Sequence, residues 1–358
     1  KASSRPINTF TIGYQEAGSD DAPAARAVAE HIGADHTELY VTSADALAVI
    51  PQLPSIYDEP FADSSQIPTY LLCKLARQNL TVALTGDGGD ELFAGYRRHL
   101  FTGQFWPKAK AAPAMLRRVA ANALLATPLD ALDGGLSLLP AGRRPAARDI
   151  HKAAAMFGAA SVEAFYLRAT SQLDPGVHPM AQGRGFRESL PALPPRLSDT
   201  ERVMAWDMLG YLPDDILVKV DRAGMAASLE TRAPFLDHKV VEFAWSLPLS
   251  MKLRGSTTKW ILREVLYRHV PRELVERPKP GFAIPLAQWL RGPLRDWAES
   301  LLSEESLRRE GLLHPRVTRR LWADHLQGRR DWQQPLWNAL MLQAWMVARR
   351  EVSLHRAD

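Results

Sequence analysis

Residues 81–91 read Thr-Val-Ala-Leu-Thr-Gly-Asp-Gly-Gly-Asp-Glu, a strand-like run followed by an acidic, glycine-rich turn. The run over 81–85 is apolar or β-branched, which predicts a buried strand. Three glycines and three carboxylates follow at once, and a helix is predicted to begin at 92–96. Glycines let backbone N–H groups approach a ligand closely, and α/β sheets bind ligands at the carboxyl ends of their strands. The stretch therefore predicts an α/β fold with a ligand site at 85–91.

The rest of the chain divides into a strand–helix region and a helical region. Before residue 100, strands are predicted over 7–13 and 37–41, and helices over 22–32, 42–50 and from Pro68. This alternation predicts a parallel, doubly wound sheet. Helical patterns prevail afterwards, over 115–126, 214–227, 258–269, 285–290 and 329–352. We expect an α/β part at 1–100, a helical insertion at 101–200 and a helical part at 201–358.

Composition restricts the class of protein. The chain has 358 residues, of which 46% are hydrophobic and 23% charged, and these globular values exclude global disorder. Its one cysteine, Cys73, excludes an internal disulfide framework and fits a reducing compartment. No apolar run approaches the ~18–20 residues that a membrane span needs. We therefore expect a cytoplasmic protein without a membrane segment.

The charge distribution argues against a nucleic-acid partner. Residues 1–100 hold 7 basic and 13 acidic side chains, and the remaining residues hold 37 and 27. The basic excess is spread over amphipathic stretches, with no block of five like charges. Such a pattern is typical of a solvated helical surface rather than of a stripe that follows phosphates.

The acidic turn at 85–91 suits a magnesium–phosphate site. Carboxylates repel a polyphosphate unless a metal ion bridges them, and Mg²⁺ combines one or two carboxylates with phosphate oxygens. In a simpler interpretation, Asp90 and Glu91 only complement the dipole of the following helix. That interpretation does not require Asp87 or the adjacent glycines, so a ligand-binding turn is favoured.

Two other helix starts carry polar groups. Lys259 is predicted in the first turn of a helix, where the macrodipole disfavours a cation by ~0.3–1 kcal/mol. A bound phosphate or a developing oxyanion would explain the lysine, and a side chain extending into solvent is the alternative. Ser64 and Ser65 precede the helix predicted from Pro68, and they either cap it or face a substrate carboxylate.

Three further segments allow structural predictions. The charged segment 217–237 predicts ion pairs that dock the helical part on the sheet. The basic loop 277–282 is either a structural loop or a flap. Tryptophans recur at roughly helical spacing near the end of the chain, which predicts core positions for Trp332, Trp337 and Trp345.

Five blocks, in order along the chain, resemble the synthetase domain of the glutamine-dependent asparagine synthetase family. They are TFTIGY at 9–14, DEPFADSSQIPTYLL at 58–72, LTGDGGDELFAGYRR at 84–98, LPDDILVKVDRAGMAASLETRAPFLDH at 212–238 and KWILRE at 259–264. The resemblance implies a parallel-sheet fold of the adenine-nucleotide α-hydrolase type, also called the PP-loop ATP pyrophosphatase fold, followed by a mainly helical part. It implies that Mg²⁺-ATP adenylates the aspartate β-carboxylate and that ammonia then attacks, giving asparagine, AMP and pyrophosphate.

The resemblance also implies roles for individual residues. The backbones of three residues match positions that contact the adenine nucleotide: Ile12, Thr85 and Gly86. Lys259 matches the lysine that meets the phosphates, and Asp90 matches the acid next to the metal ion. Asp87 matches a position, usually glutamate, that bears on formation of the intermediate and on the ammonia step. Aspartate is shorter by one methylene, which reduces its reach.

Two parts of the family pattern are absent from the sequence. One is the glutaminase domain, whose nucleophile is an N-terminal cysteine; residue 1 here is Lys1. The other is the SGGxDS pyrophosphate loop, which the resemblance places just before Lys1. We therefore expect a fragment of the family's full length. The expected partners are aspartate, ammonia or glutamine, and a glutaminase domain, and the resemblance admits a homodimer.

Other functions remain open at this point. A relative could adenylate another carboxylate, as β-lactam and lasso-peptide macrolactam synthetases do, or could amidate a cell-surface sugar. A catalytically inactive scaffold is an alternative from a different class. The absent pyrophosphate loop favours the scaffold, whereas Asp87, Asp90 and Lys259 favour an enzyme.

Overall fold

The computed structural model describes residues 4–14, 21–127, 129–136, 147–172, 179–180, 190–276 and 284–355. The strands are β1 Asn8–Tyr14, β2 Asp35–Val41, β3 Val82–Leu84 and β4 Glu230–Arg232. The α-helices are α1 Ala22–Ile32, α2 Ser43–Val49, α3 Leu53–Tyr57, α4 Gln66–Arg77, α5 Gly89–Leu92, α6 Arg97–Gln104, α7 Trp106–Lys110, α8 Ala114–Ala126, α9 Leu129–Leu136, α10 Ala147–Phe157, α11 Val162–Thr170, α12 Asp199–Trp206, α13 Val218–Ala226, α14 His238–Ser246, α15 Trp260–Leu266, α16 Arg272–Val275, α17 Leu286–Arg291, α18 Arg295–Leu301, α19 Glu304–Glu310, α20 Pro315–Leu326 and α21 Gln333–His355. A π-helix spans Asp207–Leu217, and 3₁₀ turns span Ile50–Gln52, Pro234–Leu236 and Leu249–Met251.

The strands form two parallel pairs. β1 pairs with β2, with Ile12 opposite Leu39, and β3 pairs with β4, with Ala83 opposite Thr231. Parallel pairing is therefore confirmed, but within the described residues the predicted single sheet is two two-stranded sheets. β4 was not predicted, because its sequence Glu-Thr-Arg lacks an apolar run and its strand conformation depends on the distant β3.

Helix α4 connects the two sheets. It packs against β1 and β2 on one side and against α13 on the other, and α13 in turn contacts β4. Helix α1 crosses between the paired strands β1 and β2 and ends, as predicted, at Gly33, whose φ of 69° is left-handed. This arrangement places the carboxyl ends of β3 and β4 beside the amino-terminal end of α13.

Several predicted helix boundaries change in the structure. The helix predicted over 214–227 is the end of the π-helix followed by α13. Pro213 lies inside the π-helix; its ring has no N–H and clashes with a regular α-helical turn, which the wider turns relieve. Helix α4 begins at Gln66, so Pro68 is its third residue, where a missing N–H breaks no helical hydrogen bond.

The main core packs the β1–β2 sheet, α2–α4 and the carboxyl-terminal helices together. Trp332 and Trp337 lie in it with exposed fractions of 6% and 0%, which confirms the predicted core role for both. The same prediction is wrong for Trp345, which is only partly buried and is not part of this core. A second cluster forms between α7, α11 and α12, where Trp106 and Phe165 have ring centroids 5.4 Å apart. No helix in the described part of the chain is long and apolar enough to cross a membrane.

Candidate active site

The turn that follows β3 is built by close backbone contacts. The Thr85 N–H donates to the carbonyl oxygen of Arg232 at 2.8 Å, so pairing with β4 continues into the turn. Gly88 has a φ of 87°, and a Cβ atom there would lie 2.4 Å from Cδ2 of Leu236. The Leu92 N–H then donates to the Gly88 carbonyl at 3.0 Å and begins α5. The backbone conformation therefore favours glycine at 88, and a larger residue would also require the Leu236 side chain to move.

A cavity of about 810 Å³ lies at the carboxyl ends of β3 and β4. Its lining residues are Leu84, Thr85, Asp87, Pro213, Leu217, Val218, Val220, Asp221, Arg222, Thr231, Arg232, Ala233, Pro234, Leu236 and Asp237. Gly86 faces open space, since a Cβ atom there would meet nothing within 4 Å. The buried hydroxyl of Thr85 has no hydrogen-bond partner among the described residues. A buried polar atom without a partner at a cavity wall fits a site that a polar ligand completes.

The charged residues of the segment 217–237 lie in two different environments, an ion pair and the wall of the cavity. Lys219 bonds Asp63 with an Nζ–Oδ2 distance of 2.7 Å, so ion pairing does occur, but it joins α13 to the loop before α4 and not to the sheet itself. In contrast, Asp221 and Arg222 are exposed and line the cavity. Their position at the cavity was not predicted, because charges that line a cavity and charges that form docking pairs look alike in a linear sequence.

Lys259 lies just outside the helix that was predicted to contain it. It precedes α15 with a left-handed φ of 52°, and its N–H donates to the Phe93 carbonyl at 3.0 Å. Its Nζ atom lies 2.8 Å from Oδ1 of Asp90. The prediction that Lys259 lies in the first turn is therefore wrong by one residue, because the contact with Phe93 holds the backbone in a non-helical conformation. The Asp90 carboxylate offsets the unfavourable dipole.

Gly95 allows this ion pair to form. A Cβ atom at Gly95 would lie 1.9 Å from Oδ1 of Asp90 and 2.4 Å from Cε of Lys259. The Gly95 N–H also donates to the Asp90 carbonyl at 2.8 Å. The preceding Ala94 is buried with a φ of 56°, a conformation that residues with a side chain rarely adopt. Two left-handed residues with side chains therefore lie near the same ion pair: Lys259 is part of it, and Ala94 directly precedes Gly95, which packs against it.

The carboxylates of the turn suit Mg²⁺, which takes part of its ligands from phosphate and water, better than a metal ion whose ligands all come from the protein. No group of three or more His, Cys, Asp or Glu side chains in the described ranges could hold a metal ion. Asp90 has a partly exposed carboxylate, and Asp87 reaches the cavity. Mg²⁺ uses one or two carboxylates and takes its other ligands from phosphate and water. The residues present therefore fit Mg²⁺ bound together with a phosphate ligand.

Glu91 has a structural environment unlike that of Asp87 or Asp90. Only 1% of it is exposed, and its Oε1 accepts the Tyr96 hydroxyl at 2.5 Å. Burial raises the pKa of Glu91, and the hydrogen bond from Tyr96 opposes that rise only in part. The carboxyl group therefore belongs to the protein interior rather than to the ligand site.

The loop before α4 forms a second polar region. The Ser65 hydroxyl donates to Oδ2 of Asp63 at 2.8 Å, so Ser65 does not cap α4 with its side chain, and that alternative is wrong for Ser65. Burial favours a high pKa for Asp63, but Lys219 holds that pKa below its usual value. A smaller cavity of about 390 Å³ adjoins Asp63, Asp214 and Asp215. Burial, with help from Asp63, raises the pKa of Asp215 to about 6.

The structure brings together only some of the predicted site residues. Thr85 and Asp87 line the cavity, and Gly86 lies between them in open space. Asp90 is paired with Lys259, which precedes α15, and neither member of this pair is among the residues that line the cavity. Ile12 is 3% exposed in the main core on β1, in the other sheet, and does not line this cavity. The loop predicted over 277–282 lies outside the described residues.

Comparison with known proteins identifies related sequences. The family model described as asparagine synthase matches residues 1–347. Asparagine synthetase [glutamine-hydrolyzing] 1 of Bacillus subtilis is 28% identical over 95% of this chain and 52% of its own length. A putative asparagine synthetase [glutamine-hydrolyzing] of Mycobacterium tuberculosis is 32% identical over 94% of this chain and 50% of its own length. The chain thus spans about half the length of the curated relatives that it matches.

Proposed function

Because the chain belongs to the asparagine synthase family, we propose that it is the synthetase part of an ATP-dependent ligase that converts aspartate to asparagine. The proposed reaction joins the aspartate side-chain carboxylate to AMP, releases pyrophosphate and transfers ammonia to the activated carbon. The observation that carries the proposal is the cavity at the ends of β3 and β4, which is lined by Thr85 and Asp87. Asp90 lies on the turn that begins there, and Lys259 reaches it from the residue before α15.

The proposed nucleotide site uses the start of the turn. The open space at Gly86 admits a ligand close to the backbone, and the unpartnered hydroxyl of Thr85 offers it a hydrogen bond. We propose that the backbones of Thr85 and Gly86 contact the adenine nucleotide. A similar contact for Ile12 stays a prediction, since its side chain is part of the main core.

The proposed phosphate site uses the end of the turn. Asp90 holds the Lys259 ammonium at 2.8 Å, and the remaining N–H groups of that ammonium are suited to phosphate oxygens. We propose that Asp90 also holds Mg²⁺, with Asp87 close by on the same turn. When bound, the ion would neutralise negative charge on the phosphates.

Asp87 is the proposed proton acceptor of the second step. As the ammonia nitrogen bonds to the acyl carbon, the bond from that carbon to AMP breaks and the nitrogen must lose a proton. Asp87 reaches the cavity with a carboxylate that can accept this proton. The B. subtilis relative is named glutamine-hydrolysing, and we propose that a glutaminase domain supplies the ammonia in the full-length protein.

The experiment that tests this function is product analysis. The full-length protein is incubated with aspartate, ammonium and Mg²⁺-ATP, and asparagine, AMP and pyrophosphate are quantified. We expect equal amounts of the three products, and their loss in Asp87→Asn. Asp296→Asn, which changes an exposed carboxylate on α18 in the same way, should keep wild-type activity. Release of ADP, or AMP formation that requires a carboxylate other than aspartate, would contradict the proposal.

A further inference from the structure

A fully buried carboxylate lies behind the turn that carries Asp90. Asp207 begins the π-helix and has an exposed fraction of 0%. Its Oδ2 accepts from Nε of Arg98 at 2.7 Å and from Nε2 of His99 at 2.6 Å. The desolvation of a buried carboxylate is severe unless such donors compensate it. Asp207 therefore depends on Arg98 and His99, and these two residues depend on Asp207.

The contact with Asp207 fixes the protonation of the His99 ring. Nδ1 of His99 accepts the backbone N–H of Tyr96 at 3.3 Å, so the ring proton lies on Nε2 and is donated to Asp207. His99 is fully buried, and burial lowers its pKa although Asp207 acts in the opposite direction. A neutral ring with its proton on Nε2 is the form that satisfies both neighbours.

The hydrogen bond from Tyr96 links this network to the proposed phosphate site. Tyr96 directly follows Gly95, which lies against the ion pair of Asp90 and Lys259. The Gly95 N–H is held by the Asp90 carbonyl, and the next N–H, that of Tyr96, is held by His99. The strained Ala94 comes immediately before. Left-handed residues with a side chain persist only where their surroundings restrain them, and these two hydrogen bonds supply that restraint.

Arg98 provides a second connection to Tyr96. Its guanidinium lies 4.1 Å from the centroid of the Tyr96 ring and 4.7 Å from that of Tyr211. The Tyr96 hydroxyl in turn donates to Glu91, on the helical turn next to Asp90. Asp207 thus restrains Tyr96 twice, through its backbone by way of His99 and through its ring by way of Arg98.

We infer that Asp207 is a positioning residue for the reaction proposed above, an inference that rests on that proposed function. By fixing His99 and Arg98, Asp207 fixes Tyr96 and keeps Gly95 beneath the Asp90–Lys259 pair. Without this support the Ala94–Gly95 backbone relaxes toward unstrained conformations, and the ammonium of Lys259 moves away from the position where it meets phosphate.

The first test uses Asp207→Asn, which keeps the size of the side chain and removes its charge. We expect kcat to fall by about 10–100-fold while the KM for ATP changes little, since misplaced charges near the phosphates act mainly on the transition state. Asp199→Asn is the matched control. It removes a carboxylate that bonds Trp106 and Lys110 in the second cluster, and it should keep wild-type kcat.

A second pair of variants separates positioning from simple folding. His99→Gln keeps an acceptor for Tyr96 and a donor for Asp207, whereas His99→Leu keeps neither. We expect His99→Gln to retain most of the activity and His99→Leu to lose as much as Asp207→Asn. If Asp207→Asn fails to fold, the comparison of His99→Gln with His99→Leu still tests whether the hydrogen bonds around Asp207 position the site. Equal, wild-type kcat values in folded Asp207→Asn and His99→Leu would overturn the inference.

Hydrogen–deuterium exchange gives a readout that does not depend on activity. In Asp207→Asn and His99→Leu, the amides of Gly95 and Tyr96 should exchange at least about tenfold faster than in the wild type, while Asp199→Asn leaves them unchanged. Unchanged exchange at these amides would show that Asp207 does not position the turn. If exchange is accelerated in the two variants but the wild-type protein forms no asparagine, the proposed function is rejected and the structural connection is retained.

Discussion

Lys259 combines two features that are unfavourable by themselves. It has a cation at the amino-terminal end of a helix and a left-handed backbone in a residue with a long side chain. Asp90 offsets the first and the Phe93 carbonyl restrains the second. Strain kept at one residue by its surroundings is typical of a functional site rather than of a surface lysine.

This view of Lys259 predicts separate effects on activity and stability. Lys259→Ala should lower the rate of pyrophosphate release at least ~100-fold, because a charge that meets the phosphates is lost. Its free energy of unfolding should change by less than ~1 kcal/mol, since the ion pair is partly exposed. Lys259→Gly should be equally inactive but ~1 kcal/mol more stable than Lys259→Ala, because glycine adopts positive φ freely. Thermal unfolding measures the stability of both variants, and a pyrophosphate assay measures their activity. Near-normal pyrophosphate release would show that Lys259 is not part of the site.

Asp215 predicts a pH-dependent effect on stability. Its pKa is raised to about 6 by burial and by Asp63, from an ordinary value near 4. The folded protein therefore binds more protons than the unfolded chain between these values, so Asp215 destabilises the fold progressively as pH rises through 6. Asp215→Asn should raise the free energy of unfolding by about 2–3 kcal/mol near neutral pH and leave it unchanged below about pH 4.

Denaturant titrations of Asp215→Asn at these two pH values make the test. Asp214→Asn is the control variant, because it removes one negative charge, as Asp215→Asn does, but from the preceding, exposed residue. A gain of the same size at both pH values would show that Asp215 does not titrate as its burial implies.

At the scale of the element, the turn from Thr85 to Gly95 combines glycines of two kinds. Gly95 is packed against protein atoms, with a Cβ position 1.9 Å from Oδ1 of Asp90, whereas Gly86 faces open space. The same substitution at the two positions therefore separates packing of the turn from room for a ligand.

Gly95→Ala should displace Asp90 and Lys259 and destabilise the protein by about 1–3 kcal/mol, because a methyl group is forced into a filled space. Gly86→Ala should leave the free energy of unfolding within ~0.5 kcal/mol of wild type, since it meets no protein atom. We nevertheless expect it to weaken ATP binding about tenfold or more, because the methyl group occupies space next to the ligand. Calorimetric titration with Mg²⁺-ATP and thermal unfolding check both variants. Unaltered ATP affinity in Gly86→Ala would place the nucleotide elsewhere.

At the scale of the whole molecule, the proposed site joins segments that are far apart in the sequence. The cavity is lined by the end of β3, by the start of α13 and by the residues that follow β4. Helix α4 connects this region to the β1–β2 sheet, and Lys219 connects α13 to the loop before α4 through Asp63. A ligand in the cavity contacts all three segments, so it should stabilise the fold as a unit.

Mg²⁺-ATP should therefore raise the melting temperature of the full-length protein. Ligand at about 100 times its Kd contributes ~2.7 kcal/mol by mass action. ATP with a chelator should stabilise less, because the carboxylates of the turn then face uncompensated phosphates, and Asp90→Asn should reduce this dependence on magnesium. Differential scanning calorimetry with and without magnesium is the measurement. Equal stabilisation by ATP in both conditions would exclude Asp90 as a magnesium ligand.

Local patterns in the sequence determined much of the fold. The positions of strands β1–β3, the end of α1 at Gly33 and the core positions of Trp332 and Trp337 agree with expectation. The predicted burial of β3 is wrong, since Val82 is 37% and Leu84 74% exposed. Each depends on residues within one or two turns of chain, where side-chain alternation, a left-handed glycine or helical spacing acts directly. The acidic glycine turn was recognised for the same reason, since its residue types are contiguous.

The pairings between residues that are distant in the sequence arise only in the folded chain. Glu230–Arg232 is a strand because β3 offers it hydrogen bonds, Lys259 is left-handed because Phe93 holds its N–H, and Asp207 is buried because Arg98 and His99 satisfy it. None of these partners is near in sequence, and the free energy that stabilises each contact comes from packing that no local pattern encodes. The sequence therefore determined which groups the turn carries, and the folded chain determined which distant groups hold them in place.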